Sequence, residues 1–140
     1  MTVKISTLVR NSFGNLLNDL IDSGSMMPAG YIEIRTGGPP ATPDLPAPGT
    51  LLVKIDLPAG GFGTFTNGRA VISSIIASLA IVSDGLAGYF RLYNRDSAPI
   101  MDGSVGVLNS GADLTFDRID FIAGGSISIT NFALTIPENC

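Results

Sequence analysis

The sequence predicts a mainly β domain, an antiparallel β-sandwich of the jelly-roll or immunoglobulin-like kind with one N-terminal amphipathic helix. Short apolar or alternating segments recur between residues 31 and 136, and Gly, Pro, Asn and Asp separate them about every 8 to 12 residues. The single segment with helical spacing precedes all of them, so strands and helices do not alternate as in a parallel α/β sheet. The 140 residues match the size of one domain, 1–140.

The spacing of apolar residues predicts a helix over residues 7–22. Ser6 or Thr7 is a suitable N-cap and Gly24 a suitable stop, while Gly14 inside the helix costs about 1 kcal/mol relative to Ala. The apolar face should pack against a sheet or a neighbouring subunit. That face comprises Leu8, Val9, Phe13, Leu16, Leu17, Leu20 and Ile21, and the polar face comprises Arg10, Asn11, Asn15, Asn18 and Asp22.

The helix is followed by two strands separated by a proline-rich segment. Residues 31–36 alternate, which places Ile32 and Ile34 on a buried face, and residues 50–57 form a second strand. Between them, residues 37–49 contain five prolines among thirteen residues. Proline lacks the backbone donor and fixes φ, so we expect an extended, semi-rigid arm here.

The remaining chain reads as strands and turns. Residues 70–82 fit either one helix or two short strands, and their β-branched content favours strands with a break near Ala77. The later strands are predicted at 88–93, 100–108, 114–122 and 126–136, with turns at 94–99 and 109–113 and a bulge at Asn131–Phe132. The sandwich is thus expected to comprise 31–36 and 50–136.

Composition argues against several functions. The chain is 45% hydrophobic and only 14% charged, with a net charge of −4, and its eight basic residues are scattered. Nucleic-acid binding needs a basic stripe, so no nucleic-acid partner is expected. No run approaches the length of a membrane span, and residues 1–5 lack the plan of a signal peptide, so we expect a protein made and used in a cytoplasm. A surface so poor in charge predicts self-association as a dimer or trimer.

The residue types for catalysis are largely missing. The chain has no His, and its one Cys is Cys140, so Cys and His cannot form a metal site and an intrachain disulfide is impossible. Asp102, Asp113, Asp117 and Asp120 are close in sequence, but their spacing does not suit a calcium loop, and turn or strand-surface roles are expected. We therefore predict no enzyme and no catalytic, cofactor, metal or small-molecule site.

Three weaker motifs also favour structural roles. Gly60–Gly63 and Gly103–Gly106 lack the Lys and the following helix of a phosphate-binding loop. The serines have no basic partner for a nucleophilic triad. These are Ser73, Ser74, Ser78 and Ser83. Among the aromatic residues, Phe62 and Phe65 are the best candidates for an exposed contact tip, whereas at least one of Tyr89 and Phe90 should be core.

Several segments in order resemble a family of small structural proteins of tailed bacteriophages, and the resemblance covers nearly the whole chain. It differs most at 72–82, where the apolar stretch is longer. Each motif consists of turn residues between apolar strands, so their order is the more specific part. The segments are Val9–Asn11, Ile34–Gly37, Pro40–Pro43, Gly49–Leu52, Gly88–Tyr93, Met101–Gly106 and Ile122–Gly125.

The resemblance implies a β-sandwich component of the virion, assembled in the host cytoplasm, with no catalytic residues to carry over. The first hypothesis is a capsid decoration, or cement, protein whose partners are the major capsid protein and copies of itself. Its helix and its arm at 37–49 would then bridge neighbours. A tail, baseplate or fibre-associated protein of the same particle is the alternative. A carbohydrate-binding or adhesin domain is the third hypothesis, and the lack of Trp argues against it.

Overall fold

One helix and eight strands make up the part of the chain that the structure, a computed structural model, describes: residues 3–58, 62–71, 80–127, 129 and 132–138. The helix α1 spans Thr7–Ile21, close to the predicted 7–22, and the Ser6 hydroxyl caps it by accepting a hydrogen bond from Val9 N at 3.3 Å. The strands are β1 (Tyr31–Thr36), β2 (Leu51–Asp56), β3 (Arg69–Val71), β4 (Gly85–Tyr93), β5 (Pro99–Val107), β6 (Leu114–Phe116), β7 (Asp120–Phe121) and β8 (Ala133–Thr135).

Six strands form one curled, mixed sheet. Its order is β2-β1-β4-β5-β6, and β7 pairs with the beginning of β4, at Gly85 and Leu86. β3 and β8 form a separate antiparallel ribbon. The prediction of a mainly β fold with one N-terminal helix is therefore confirmed.

The prediction of a purely antiparallel sheet is wrong at β6, which runs parallel to β5. The cause lies in residues 108–113, which double back along β5. Asn109 and Gly111 both adopt positive φ, at 65° and 84°. Asp113 then reaches Ser104, its Oδ2 accepting hydrogen bonds from Ser104 N and Oγ at 2.9 Å. The chain thus starts β6 beside Val105, in the last part of β5, and runs in the same direction.

One face of the main sheet carries the core. Ile32 and Ile34 are fully buried, as their alternation predicts, and they pair across β4 with Leu92 and Phe90. The Phe90 ring meets Phe132 edge to face, with centroids 5.2 Å apart, and Phe132 meets Phe62 in the same way at 5.1 Å. Through these ring contacts, the β3–β8 ribbon packs against the core face of the main sheet.

The other predicted segments have mixed outcomes. The strands predicted at 50–57, 88–93 and 100–108 are present, and 114–122 divides into β6 and β7. Within 126–136, β8 covers only Ala133–Thr135, and Ser126 makes an isolated bridge to Ala80. Residues 72–79, where helix and strands were weighed, lie outside the described residues, and so does Asn131 of the predicted bulge.

Candidate functional site

The four aspartates singled out in the sequence are not brought together. Asp102 pairs with Arg91 on the sheet, Asp113 binds Ser104 in the 108–113 turn, and Asp120 pairs with Arg118 on the surface. In the described ranges, no three acidic or cysteine side chains are close enough to hold a metal ion. Each of these three carboxylates is therefore held by a different residue, Asp102 and Asp113 by residues of a neighbouring strand and Asp120 by Arg118 two positions earlier.

A ladder of alternating charges crosses the face of the sheet opposite the core. Register places Lys54 on β2 beside Glu33 on β1, Glu33 beside Arg91 on β4, and Arg91 beside Asp102 on β5. Arg91 Nε and Nη2 donate to the two oxygens of Asp102 at 2.6 and 2.9 Å. The Arg91 and Asp102 side chains are only 2% and 7% exposed, so this is a buried, bidentate ion pair, and the Asp102 contact raises the pKa of Arg91 further above its ordinary value.

Tyrosines line the ladder on both sides. Tyr31 stacks on Tyr93 across β1 and β4, with centroids 4.8 Å apart, and Lys54 Nζ lies 4.2 Å from the Tyr31 ring centroid. Tyr89 is fully buried on the other side of Arg91. Burial raises the pKa of Tyr89 and of Tyr93 above 10, so both phenols remain neutral over the usual pH range.

The proline-rich segment covers this face. It has no helix or strand, as predicted, but it lies on its own sheet instead of extending from the domain. Tyr89 Oη donates to Pro48 O at 2.6 Å, and Arg91 Nη1 donates to Leu45 O at 2.7 Å. Arg35 Nη1 donates to Gly49 O at 3.2 Å. Hydrogen bonds from three side chains of the sheet therefore hold residues 37–49 in place, and we name these residues the proline loop.

The aromatic residues do not form an exposed stacking platform. Phe62 and Phe65, predicted as a contact tip, are both buried, which corrects that prediction. Phe62 packs into the aromatic core, and Phe65 lies beneath α1 against Gly14. Tyr89 and Phe90 are both buried, on opposite faces of β4.

Helix α1 is attached to the domain by its polar face. Asn18 accepts from Phe62 N at 2.8 Å and donates to Gly63 O at 2.5 Å. Asn11 accepts from Gly68 N at 2.8 Å, and Arg10 Nε donates to Ile136 O at 2.9 Å. Gly14 lies on this same face, so close to the Phe65 ring that a Cβ there would overlap it. Leu17 and Ile21 of the predicted apolar face pack into the core beside these hydrogen bonds, and the rest of that face does not. The expectation that the apolar face packs against a sheet is therefore met only in part, and its alternative, a neighbouring subunit, stays open.

The other part of the apolar side of α1 faces solvent. Leu8 is 76% exposed, Phe13 49%, Leu16 55% and Leu20 46%. Phe13, Leu16 and Leu20 follow the half-buried Val9 at three- and four-residue spacing and form a band along the helix, with Leu8 to one side of it. We name these five side chains the α1 stripe. Contiguous exposed apolar surface on a soluble domain marks a place where another molecule binds.

A cleft of about 450 Å³ lies between β6, β7 and the chain around Ser126. Its floor contains Phe116 and Phe121, whose rings meet edge to face with centroids 5.7 Å apart. Leu108 and Ile122 stand at its edge, largely exposed. The cleft is thus a second apolar surface, away from α1, and we name it the β6–β7 cleft.

Asp117, Arg118 and Asp120 border the same cleft. Arg118 Nε and Nη2 donate to the two Asp120 oxygens at 2.9 and 2.8 Å, and both side chains are exposed. Arg118 holds the pKa of Asp120 below its ordinary value. The pair is charged at neutral pH and neutralises itself, so it supplies neither a free base nor an acid.

Both glycine motifs and the serines can be placed only in part. Gly103 lies under the Phe90 ring and Gly106 against Ser110, so these two glycines allow close packing in and beside β5. Gly60 and Gly61 lie outside the described residues, and so do Ser73, Ser74, Ser78 and Cys140. No helix among the described residues is long and apolar enough to cross a membrane.

Two features of the surface were not predicted from the sequence, the solvent exposure of the α1 stripe and the hydrogen bonds that hold the proline loop on the sheet. One signal for the first was present: Asn11, Gly14 and Asn18 recur at three- and four-residue spacing, and a glycine centred among amides indicates close backbone approach. The loop contacts depend on the register of β4 and have no local signal.

No family model, curated protein or solved structure matches the chain.

Proposed function

We propose that this chain is a virion structural protein of a tailed bacteriophage, a capsid decoration protein that binds the outside of the major shell and stabilises it. The observation that carries the proposal is the α1 stripe, four large apolar side chains held towards solvent on a helix whose polar face is hydrogen-bonded to the domain. A domain that keeps such a surface exposed is suited to assembly with other subunits.

The β6–β7 cleft supports a second contact. Leu108 and Ile122 at its edge directly follow β5 and β7 of the main sheet, far along the chain from α1. A cement subunit needs one surface for the shell and another for its neighbours. The two apolar surfaces, on separate elements, meet that need, and we assign the cleft to the shell.

The proline loop supports the same role in a different way. Leu45, Pro48 and Gly49 are fixed through their carbonyl oxygens, which leaves the outer side of the loop available, and the Leu45 side chain is exposed. A loop that is already ordered loses little conformational entropy when it docks. Binding to a shallow surface of a large shell therefore carries a smaller cost in conformational entropy.

The use of the carboxylates is consistent with a structural protein and not an enzyme. Asp102, Asp113 and Asp120 each accept hydrogen bonds from one adjacent residue of the fold. The finer fold assignment, a jelly-roll or immunoglobulin-like sandwich, belongs to this proposal as well. The β3–β8 ribbon, packed through Phe132 and Phe62, would be the second layer.

The first test is the copy number of this chain relative to the major shell protein in purified particles, measured by quantitative mass spectrometry. Hundreds of copies per particle are expected. A few dozen copies or fewer would move the protein to the tail or baseplate and contradict the decoration role. Absence from the particle would overturn the virion proposal altogether.

The second test assigns the shell-binding surface. Purified shells that lack the protein are mixed with the wild-type chain, with Ile122→Lys or with Leu45→Ser, and bound protein is measured by sedimentation. We expect Ile122→Lys to lose at least tenfold in affinity, because the cleft edge must be desolvated on binding. Equal binding of wild type and Ile122→Lys would overturn the assignment of the cleft to the shell.

A further inference from the structure

We propose that the α1 stripe binds the α1 stripe of a second copy, so that the two helices pack antiparallel about a two-fold axis. This inference goes beyond the proposed function, because the dimer forms through contacts of this chain alone, with or without a shell. It follows from the apolar pattern of the stripe, from the charges at the two ends of α1 and from the area that the stripe exposes.

The apolar pattern is self-complementary in one direction. With the two-fold axis near Gly14 and Asn15, Phe13 lies opposite Leu16 of the second copy, and Leu20 lies opposite Val9. These pairs bring apolar side chains together, and the same contacts occur twice, as a two-fold interface requires. Leu8 is not among them, because its counterpart Ile21 is buried in the core. The helix is about 22 Å long, from 15 residues at about 1.5 Å each, so the stripe spans about four turns.

The charges at the ends of α1 oppose its own dipole. The first turn contains no acidic residue and the last turn no basic one, while Asp19 and Asp22 lie at the C-terminal end, where the partial charge is already negative. Lys4 is exposed just before the helix begins. Among the residues that the structure describes, none of these three side chains forms an ion pair.

An antiparallel second copy would place opposite charges near each end of the helix. It brings the N-terminal end of one helix, with Lys4, to the level of the acidic C-terminal end of the other copy, and the two helix dipoles then oppose each other favourably. A parallel pair would place the acidic ends together. The unfavourable charge placement in the single chain therefore selects both a second copy and its direction.

The exposed area fits a reversible dimer. Leu8, Phe13, Leu16 and Leu20 together expose on the order of 400 Å² of apolar surface per chain, with roughly 170 to 200 Å² for a fully exposed Leu or Phe. Two copies would bury about twice that, which is below the roughly 1,000 Å² of a stable interface and fits only a weak, reversible dimer. We expect a dissociation constant on the order of 10 to 100 µM.

The test is analytical ultracentrifugation of the full chain from about 1 to 500 µM, without any shell. The wild type should pass reversibly from monomer to dimer, and Leu16→Lys should weaken the dimer at least tenfold because it places like charges near the axis. Ile122→Lys, in the β6–β7 cleft, is the matched control and should dimerise like the wild type. Circular dichroism must show that the variants keep the wild-type fold.

A charge exchange tests the direction. Lys4→Glu and Asp22→Lys should each weaken the dimer several-fold, and the double variant should restore it. Asp22→Lys alone should also raise the melting temperature of the monomer, because it places a cation at the helix C-terminus. A chain that stays monomeric at 500 µM, or a dimer insensitive to Leu16→Lys, would overturn the inference and leave the stripe to a different partner. Loss of shell binding by Ile122→Lys with an unchanged dimer would separate this result from the proposed function.

Discussion

Arg91 and Asp102 face each other across β4 and β5 and join two parts of the fold. Two guanidinium nitrogens of Arg91 bind the Asp102 carboxylate at 2.6 and 2.9 Å, and a third donates to Leu45 O at 2.7 Å. The same side chain therefore links the sheet to the proline loop. Because the pair is almost entirely buried, either partner alone would be an uncompensated charge.

Asp102→Ala should lower the free energy of unfolding by about 3 kcal/mol or more, because Arg91 is left buried without its counter-ion. Urea denaturation measures this change. The matched control is Asp120→Ala, which breaks an exposed pair of the same bidentate geometry and should have little effect. Equal effects of the two substitutions would contradict the role assigned to the buried pair.

The Tyr89 hydroxyl donates a second hydrogen bond that holds the proline loop on the sheet. Burial raises its pKa above 10, and the proton is needed for the bond to Pro48 O. A raised pKa in the folded state means that the stability it contributes is fully present below about pH 10 and is lost as pH rises through the folded-state pKa. The chain lacks Trp and has three Tyr, so absorbance near 295 nm reports tyrosine ionisation directly.

We expect Tyr89→Phe to remove one high-pH component from that titration and to cost about 1 kcal/mol at neutral pH through the lost hydrogen bond. The proline loop should also become more accessible to proteases. Loss of a component that titrates near pH 10, and not of a high-pH one, would show that the pKa of this phenol is not raised.

Gly14→Ala tests which of two opposing effects is larger. Helix propensity favours Ala by about 1 kcal/mol, but the added methyl group would overlap the buried Phe65 ring. Overpacking of this kind costs about 1 to 3 kcal/mol, and we therefore expect net destabilisation in thermal or urea unfolding. Gly38→Ala, at an exposed position with open space around it, is the control and should be nearly neutral. A gain in stability on Gly14→Ala would mean that α1 shifts easily on its support.

Gly14 also shows where sequence reasoning reached its limit. Periodicity identified α1, because helical spacing depends only on local geometry. It placed Leu17 and Ile21, which pack into the core, in one face with side chains that are exposed. It did not show which face docks. That depends on the backbone donors at Phe62 and Gly68, which lie about fifty residues away in the chain and are met by Asn18 and Asn11.

For the strands, too, the local pattern could be predicted from the sequence and the long-range pairing could not. Alternation located β1 and the burial of Ile32 and Ile34, because pleating places alternate residues on one face. The parallel pairing of β6 was missed, because it depends on the contact between Asp113 and Ser104 that turns the chain back along β5. The ion pair of Arg91 with Asp102 likewise depends on strand register, which the spacing of residues along the chain does not specify.

Asp96 should contribute a pH-dependent link between the α1–β1 connection and the β4–β5 hairpin. Its carboxylate accepts from Ser25 N at 2.8 Å and Met26 N at 3.0 Å, and these bonds hold its pKa below the ordinary value. A lowered pKa in the folded state contributes stability that is present above the unfolded-state pKa and is lost as pH falls through the folded one.

Asp96→Asn should therefore be less stable than the wild type at pH 7, and the difference should shrink as the pH approaches 2. Urea unfolding at several pH values measures it. Asp44→Asn, in the exposed part of the proline loop, is the control for a simple change in net charge. A constant difference between wild type and Asp96→Asn across this pH range would contradict the assignment.

Asn18 provides the last test, because simple amphipathic reasoning predicts the opposite result for it. Its amide satisfies Phe62 N and Gly63 O, so Asn18→Leu should leave the buried Phe62 donor unpaired and cost about 1 to 3 kcal/mol, although it makes α1 more apolar. Leu16→Asn, on the exposed side of the same helix, should change monomer stability by less than about 1 kcal/mol. Thermal unfolding at low protein concentration, where the chain is monomeric, compares the two. If Leu16→Asn proved the more damaging substitution, α1 would be docked through its apolar side, and both the stripe and the dimer built on it would be wrong.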